Sequence, residues 1–239
     1  MIKRDLQETK SLLSDFKSKC LARHYEMAVK GKTRKPFIVI EGNQRTSRKI
    51  VARRVARRLS ATYLSNPPLC LVKLTNMFPF GSVLRRSYFG LCMYATARHV
   101  HWLYNRWPVV LNGYYYDQAS FSIAQVYANI TLPPENDILY SWPQDLLKPD
   151  IIFYIDFPDN LHRNPITTRH PSSWKPRMLE VYKTINDSSV IYVSTKNGLD
   201  YVEDFVLDTI TKKLSGDLEF NVYAKGEAPT IRPKRFRWG

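Results

Sequence analysis

Two hydrophobic rhythms divide this chain. Short, largely apolar runs occur at Phe37–Glu41, Leu69–Leu74, Pro108–Leu111, Ile151–Ile155 and Val190–Val193. Runs of that length without polar alternation predict strands covered on both faces. Between them the apolar positions fall at three- and four-residue spacing. In 3–30 these are Leu6, Leu13, Phe16, Cys20 and Met27, and after Phe37–Glu41 they are Val51, Val55 and Leu59. Further helices are predicted over 82–105, 119–130 and 201–214 by the same period. Gly31 to Pro36 breaks the first helix, with glycine just past its end and proline before the strand.

Strands separated by helices predict right-handed crossovers and a parallel sheet, hence an α/β fold of three layers with five strands. The division expected is an N-terminal helical extension over 1–36, one α/β domain over 37–224 and a basic tail over 225–239. Ligands bind such sheets at the carboxyl ends of the strands. That rule gathers Gly42–Lys49, Asn112–Gln118 and Asp156–Arg163 around one crevice.

Charge narrows the choice of partner. Among 239 residues, 36 are basic and 21 acidic, a net charge of +15 that favours nucleotides, nucleic acid or other anions. Arg53, Arg54, Arg57 and Arg58 should line the outer face of the helix after the first strand, either solvated or against nucleic acid. Three widely spaced cysteines, with no C-x-x-C, predict reduced thiols and an intracellular protein, mitochondrial or cytoplasmic. No apolar run reaches the roughly 18 residues of a membrane helix, so no membrane partner is expected. The first 36 residues contain Asp5, Glu8, Asp15 and Glu26, against the acid-poor pattern of a transit peptide. His99 and His101, two apart on a helix, point to different faces and are not a ligand pair.

The stretch from Gly42 to Lys49 joins a predicted strand to a predicted helix. Its frame is that of a phosphate-binding loop, G-x-x-x-x-G-K-[S/T], in which backbone amides cradle phosphates, the lysine reaches the outer ones and the hydroxyl binds Mg²⁺. Gly42 keeps its place, but Ser47 stands at the second glycine, Arg48 at the lysine and Lys49 at the hydroxyl.

Several phrases together resemble the thymidylate kinase superfamily, and within it the mitochondrial UMP-CMP kinase branch. They are this strand and loop, Ser65-Asn-Pro-Pro68, Arg85-Arg-Ser-Tyr-Phe89, Pro108-Val-Val-Leu-Asn-Gly-Tyr114 and Trp142-Pro-Gln-Asp-Leu-Leu-Lys-Pro-Asp-Ile-Ile152. The resemblance implies a P-loop kinase fold with a nucleoside-monophosphate pocket and a lid. It also implies transfer of the γ-phosphoryl of ATP, with Mg²⁺, to a pyrimidine nucleoside monophosphate. Carried onto this chain, the nucleotide-binding residues are Gly42, Arg45, Thr46, Ser47, Arg48 and Lys49. Arg85 and Arg86 would clamp the monophosphate, Tyr88 or Phe89 would stack on its base, and Arg163, Arg169 and Arg177 fall in the lid region.

The same carry-over exposes losses. The family's acidic loop residue falls on Gln44. Lys49 has no lone pair for a metal, and the Asp-Arg pair expected after the third strand is Asn112-Gly113. The expectation is therefore a kinase-like protein impaired in catalysis that still binds nucleotide, with ATP as cofactor and no metal site. One alternative is an active kinase for dTMP, UMP or CMP, with Arg48 as its catalytic cation and Mg²⁺ held by Asp117, Asp156 or Glu41. The other is a basic nucleic-acid or assembly partner that reuses the fold.

Overall fold

A computed structural model describes residues 2–21, 34–157 and 174–229, of which 2–5 and 174–176 are described by backbone alone. The chain runs α1 (Ile2–Asp15), β1 (Phe37–Gly42), α2 (Arg45–Arg58), β2 (Thr62–Ser65), α3 (Val83–Leu103), β3 (Val109–Asn112), α4 (Tyr115–Val126), β4 (Ile151–Asp156), α5 (Trp174–Thr184), β5 (Val190–Ser194) and α6 (Gly198–Leu214).

All five strands are parallel, in the order β2-β3-β1-β4-β5, with β1 at the centre. Every β1 residue is buried, as a strand flanked and covered on all sides requires. Its alternate side chains feed two cores. Val39 joins Leu111, Tyr154, Tyr116 and Tyr182 on the face covered by α4 and α5. Ile38 and Ile40 join Val110, Phe153 and Ile155 against Val51 and Val55 of α2 and Val202, Val206 and Ile210 of α6. Four of the predicted strands stand within a residue or two of their runs.

The second strand does not. Leu69–Leu74 is a turn and a short 3-10 segment (Val72–Leu74); Leu71 is buried while Leu69 is exposed. The actual strand, Thr62–Ser65, lies on the sheet edge, where half-exposed polar ends suffice and the apolar signature is weak. Helix α4 starts at Tyr115, four residues before the predicted start, and α5 was not anticipated. A proline, Pro176, lies in the first turn of α5, where its missing N–H costs nothing.

The N-terminal helix ends at Asp15 and continues through one π-helical turn, Phe16–Cys20. Leu12 and Cys20 pack with Leu71, Phe78, Tyr88 and Cys92 in a third core, which docks this extension on the start of α3. Cys20 and Cys70 are disulfide-bonded with Cα atoms 5.6 Å apart, correcting the expectation of reduced thiols. Fifty residues separate them, so only tertiary packing brings them together. Cys92 is free and buried. Among the described residues no helix is long and apolar enough to cross a membrane. Arg163 and Arg169 and most of the 225–239 tail lie outside the described residues.

Candidate functional site

The crevice lies at the carboxyl ends of β1, β3 and β4, and its shape is set by the turn leaving β1. Gly42 has φ +146°, and a Cβ there would sit 2.2 Å from the carbonyl oxygen of Ile155 on β4. Glycine is required by the neighbouring strand's backbone. Only Asn43 and Gln44 then separate the strand from α2. Asn43 fastens the turn: its Nδ2 donates to Asp156 Oδ1 and to the Phe157 carbonyl, and its Oδ1 accepts from the Phe157 amide, each at 2.9 Å. Ser47 Oγ donates to Gln44 Oε1, and the Arg48 amide donates to the Gln44 carbonyl at 3.0 Å. Residues that a phosphate loop would leave open are thus wound into the first turn of α2. Arg45, Thr46 and Lys49 point to solvent, Ser47 is half-buried, and only Arg48 turns into the crevice.

Arg48 fills it. Its Nε donates to Asn112 Oδ1 at 2.9 Å, and its Nη1 donates to the Gly42 carbonyl at 3.2 Å and to Asp117 Oδ1 at 2.6 Å. Asp117 arrives from the first turn of α4. Gly113, at φ +78°, leaves the guanidinium its space: a Cβ there would lie 3.2 Å from Arg48 Nη2 and 3.4 Å from Asp117 Oδ2. Arg48, Asn112 and Gly113 therefore act as one unit. Asn112 supplies an acceptor, Gly113 supplies room, and Arg48 occupies both.

Behind this pair lies Glu41, wholly buried. Its Oε1 accepts from the Tyr114 amide at 2.9 Å, and its Oε2 accepts from the Tyr182 hydroxyl. Burial, and then the neighbouring Asp117 carboxylate, push its pKa up to about 7. Burial alone would lower the Arg48 pKa, but Asp117 outweighs it and holds the guanidinium charged. One cation among two carboxyls neutralises one of them, and the deeper carboxyl keeps its proton into the neutral range.

These donors do not fit Mg²⁺. Asn112 Oδ1 and Asp117 Oδ1 both accept from Arg48, Glu41 is occupied by Tyr114 and Tyr182, and Asp156 Oδ1 accepts from Asn43. Lys49, at the position of the magnesium hydroxyl, points away. Among the described residues no cluster of three or more His, Cys, Asp or Glu side chains is placed to hold a metal.

A second hollow opens between α3 and α4, a cavity of about 190 Å³ lined by Phe80, Arg85, Arg86, Phe89, Gln118 and Phe121 among others. Arg85 donates to the carbonyls of Thr75 at 2.8 Å and Phe78 at 2.9 Å and lies over the Phe89 ring. Arg86 donates to the Gly81 carbonyl at 2.9 Å. Of the two aromatic candidates, Phe89 faces the cavity. Tyr88 is fully buried in the third core with its hydroxyl donating to the Leu71 carbonyl at 2.9 Å, so it does not stack on a ligand. Adjacent residues on a helix point about 100° apart, which allows only one of the pair to face the cavity. Phe80 and Phe121 are not among the sequence candidates, and Gln118, grouped with the crevice by the strand-end rule, lines this cavity. Arg177, expected near the lid, instead binds the carbonyls of Tyr127 and Ile130 at the end of α4 and Glu180 on its own helix.

No family profile matches the chain. Over 121 residues it is 33% identical to human mitochondrial UMP-CMP kinase 2, a match covering 49% of this chain and 27% of that enzyme. The chain therefore spans about a quarter of that relative. Among solved structures, thymidylate kinase from Candida albicans superposes with a TM-score of 0.60 at 15% identity, over 80% of this chain and 99% of that one. At that identity the superposition establishes the fold. The chain is thymidylate-kinase-like in architecture, as the resemblance implied, with a part of it related in sequence to a nucleoside monophosphate kinase.

Proposed function

We propose that this thymidylate-kinase-like chain binds nucleotide and has lost phosphoryl transfer. One observation supports this above the rest: the Arg48–Asp117 pair occupies the crevice where a kinase would hold metal and phosphates. Phosphoryl transfer depends on positioned charge far more than on covalent chemistry. Removing a single preorganised stabilising group typically costs about 10²–10³ in rate, or roughly 3–4 kcal/mol. Here the metal's hydroxyl, the acidic residue and the arginine after β3 are replaced together. Their effects are not additive, yet half of the summed loss leaves no practical turnover.

Binding asks for less. The open cavity at Phe89 combines aromatic edges with the guanidinium groups of Arg85 and Arg86, suited to the base and the phosphate of a pyrimidine nucleoside monophosphate. UMP and CMP are the natural first ligands, given the name of the human relative. The first turn of α2 still offers amide N–H groups to an anion, which is where an ATP phosphate would rest without a cradle.

The test is titration calorimetry with UMP, CMP and dTMP alongside an ADP-release assay with ATP and Mg²⁺. The expected result is monophosphate binding, weakened by Phe89→Ala, without turnover. A working kinase would require Arg48 to leave Asp117; turnover abolished by Arg48→Ala would establish that reading instead.

A further inference from the structure

Helix α2 distributes its charge in an unusual way. Seven of its fourteen residues are basic and none is acidic, so no partner exists within the helix. Arg48 is spent in the crevice. Arg54 and Arg58 turn towards α6, where Arg54 pairs with Asp200 at 2.7 Å and Arg58 with Glu203 and Asp204 at 3.3 Å. The remaining four, Arg45, Lys49, Arg53 and Arg57, recur every four residues and are all exposed. Among the described residues none of them forms an ion pair with a carboxylate. They make one stripe, about 18 Å from first to last at 1.5 Å per residue. Beside it, Arg53 lies 5.3 Å over the ring of Tyr63, on the edge strand β2.

We propose that this stripe docks the phosphodiester backbone of a nucleic-acid strand, independently of any monophosphate bound in the cavity between α3 and α4. A stacked strand presents a phosphate about every 3.4 Å of axis, so roughly five pass along the stripe, enough for all four cations. Tyr63 and the guanidinium over it provide a stacking surface at the stripe's side, as single-strand binders use. An anionic membrane is the weaker candidate. Surface helices that bind lipid insert an apolar face, and that face of α2, Val51, Ala52, Val55 and Ala56, is buried in the core.

The experiment uses the full chain and a fluorescent single-stranded RNA of roughly 20 nucleotides, followed by anisotropy from about 50 to 200 mM salt. The quadruple variant R45Q/K49Q/R53Q/R57Q should flatten the slope of log K against log salt by about 3, at roughly 0.7 per lost contact. Its melting temperature should stay near that of the parent, because all four side chains are exposed. R54Q/R58Q, which removes two charges outside the stripe, should leave the slope unchanged. The proposal is overturned by absence of RNA binding at low salt, by equal flattening in both variants, or by a quadruple variant that loses phosphatidylserine-vesicle binding but keeps its RNA slope.

Discussion

Arg48 and Asp117 meet at 2.6 Å across the gap between α2 and α4, with side chains only 10% and 13% exposed. An ion pair so enclosed is hard to break from one side, since the survivor is left charged without water. Arg48→Ala should therefore destabilise the protein by about 3–5 kcal/mol in denaturant unfolding. Replacing both, as Arg48→Met with Asp117→Leu, should recover most of that loss. If the double variant is as unstable as the single, the pair is not the unit described.

The two glycines beside the pair should respond unequally. Gly42→Ala drives a Cβ to within 2.2 Å of the backbone of Ile155, which a strand in mid-sheet does not yield, and a loss of about 2–4 kcal/mol is expected. Gly113→Ala meets the ends of two side chains, Arg48 at 3.2 Å and Asp117 at 3.4 Å, rather than backbone, and should cost about 1–2 kcal/mol, mostly from its positive φ. Equal thermal shifts in the two variants would contradict the contact geometry.

Glu41 gives the fold a pH dependence. Its pKa is raised to about 7, above the ordinary carboxylate value near 4.5, by burial first and Asp117 second. A raised value favours the folded state while the group is protonated. The contribution is fully present below about pH 4.5 and is lost as pH rises through about 7, amounting to about 3 kcal/mol at most. Glu41→Gln, which keeps an acceptor for the Tyr114 amide, should flatten stability against pH across that window. An unchanged profile would mean that Glu41 is already ionised in the folded protein.

The Cys20–Cys70 bond closes a loop of 50 residues between the N-terminal helix and the segment before α3. Chain-entropy reasoning gives such a cross-link about 4 kcal/mol. Cys20→Ser should lower the melting temperature of oxidised protein, and added reductant should bring the parent down to the variant. Identical melting of parent and variant without reductant would show the bond does not form in solution.

Much of the architecture was legible because β1, β3, β4 and β5 carry short apolar runs; β1, β3 and β4 lie inside the sheet and are buried almost throughout, while β5, on the edge opposite β2, keeps its run although only Val193 is buried. The edge strand β2, Thr62-Tyr-Leu-Ser65, needs no such run, while Leu69–Leu74 imitates one through residues shared between a turn and the third core. Within the site, the places of Gly42 and Arg48 could be read from motif spacing, and those of Asn112 and Gly113 from the strand-end rule together with the family resemblance. What spacing did not reveal was direction. Asp117 stands five residues beyond Asn112, and it faces the crevice only because α4 begins as early as Tyr115. The compression of the phosphate loop into a helical turn was equally hidden, because it depends on how Asn43 is gripped by β4. The disulfide has no local signature at all.

The most direct test of the central claim is calorimetric titration of the full chain with ATP, with and without Mg²⁺. With Arg48 seated between Asn112 and Asp117, the affinity for ATP should be the same in both, and no ADP should accumulate. ATP binding that strengthens tenfold or more on adding Mg²⁺, about 1.4 kcal/mol, would show that a metal displaces the guanidinium and would contradict the account.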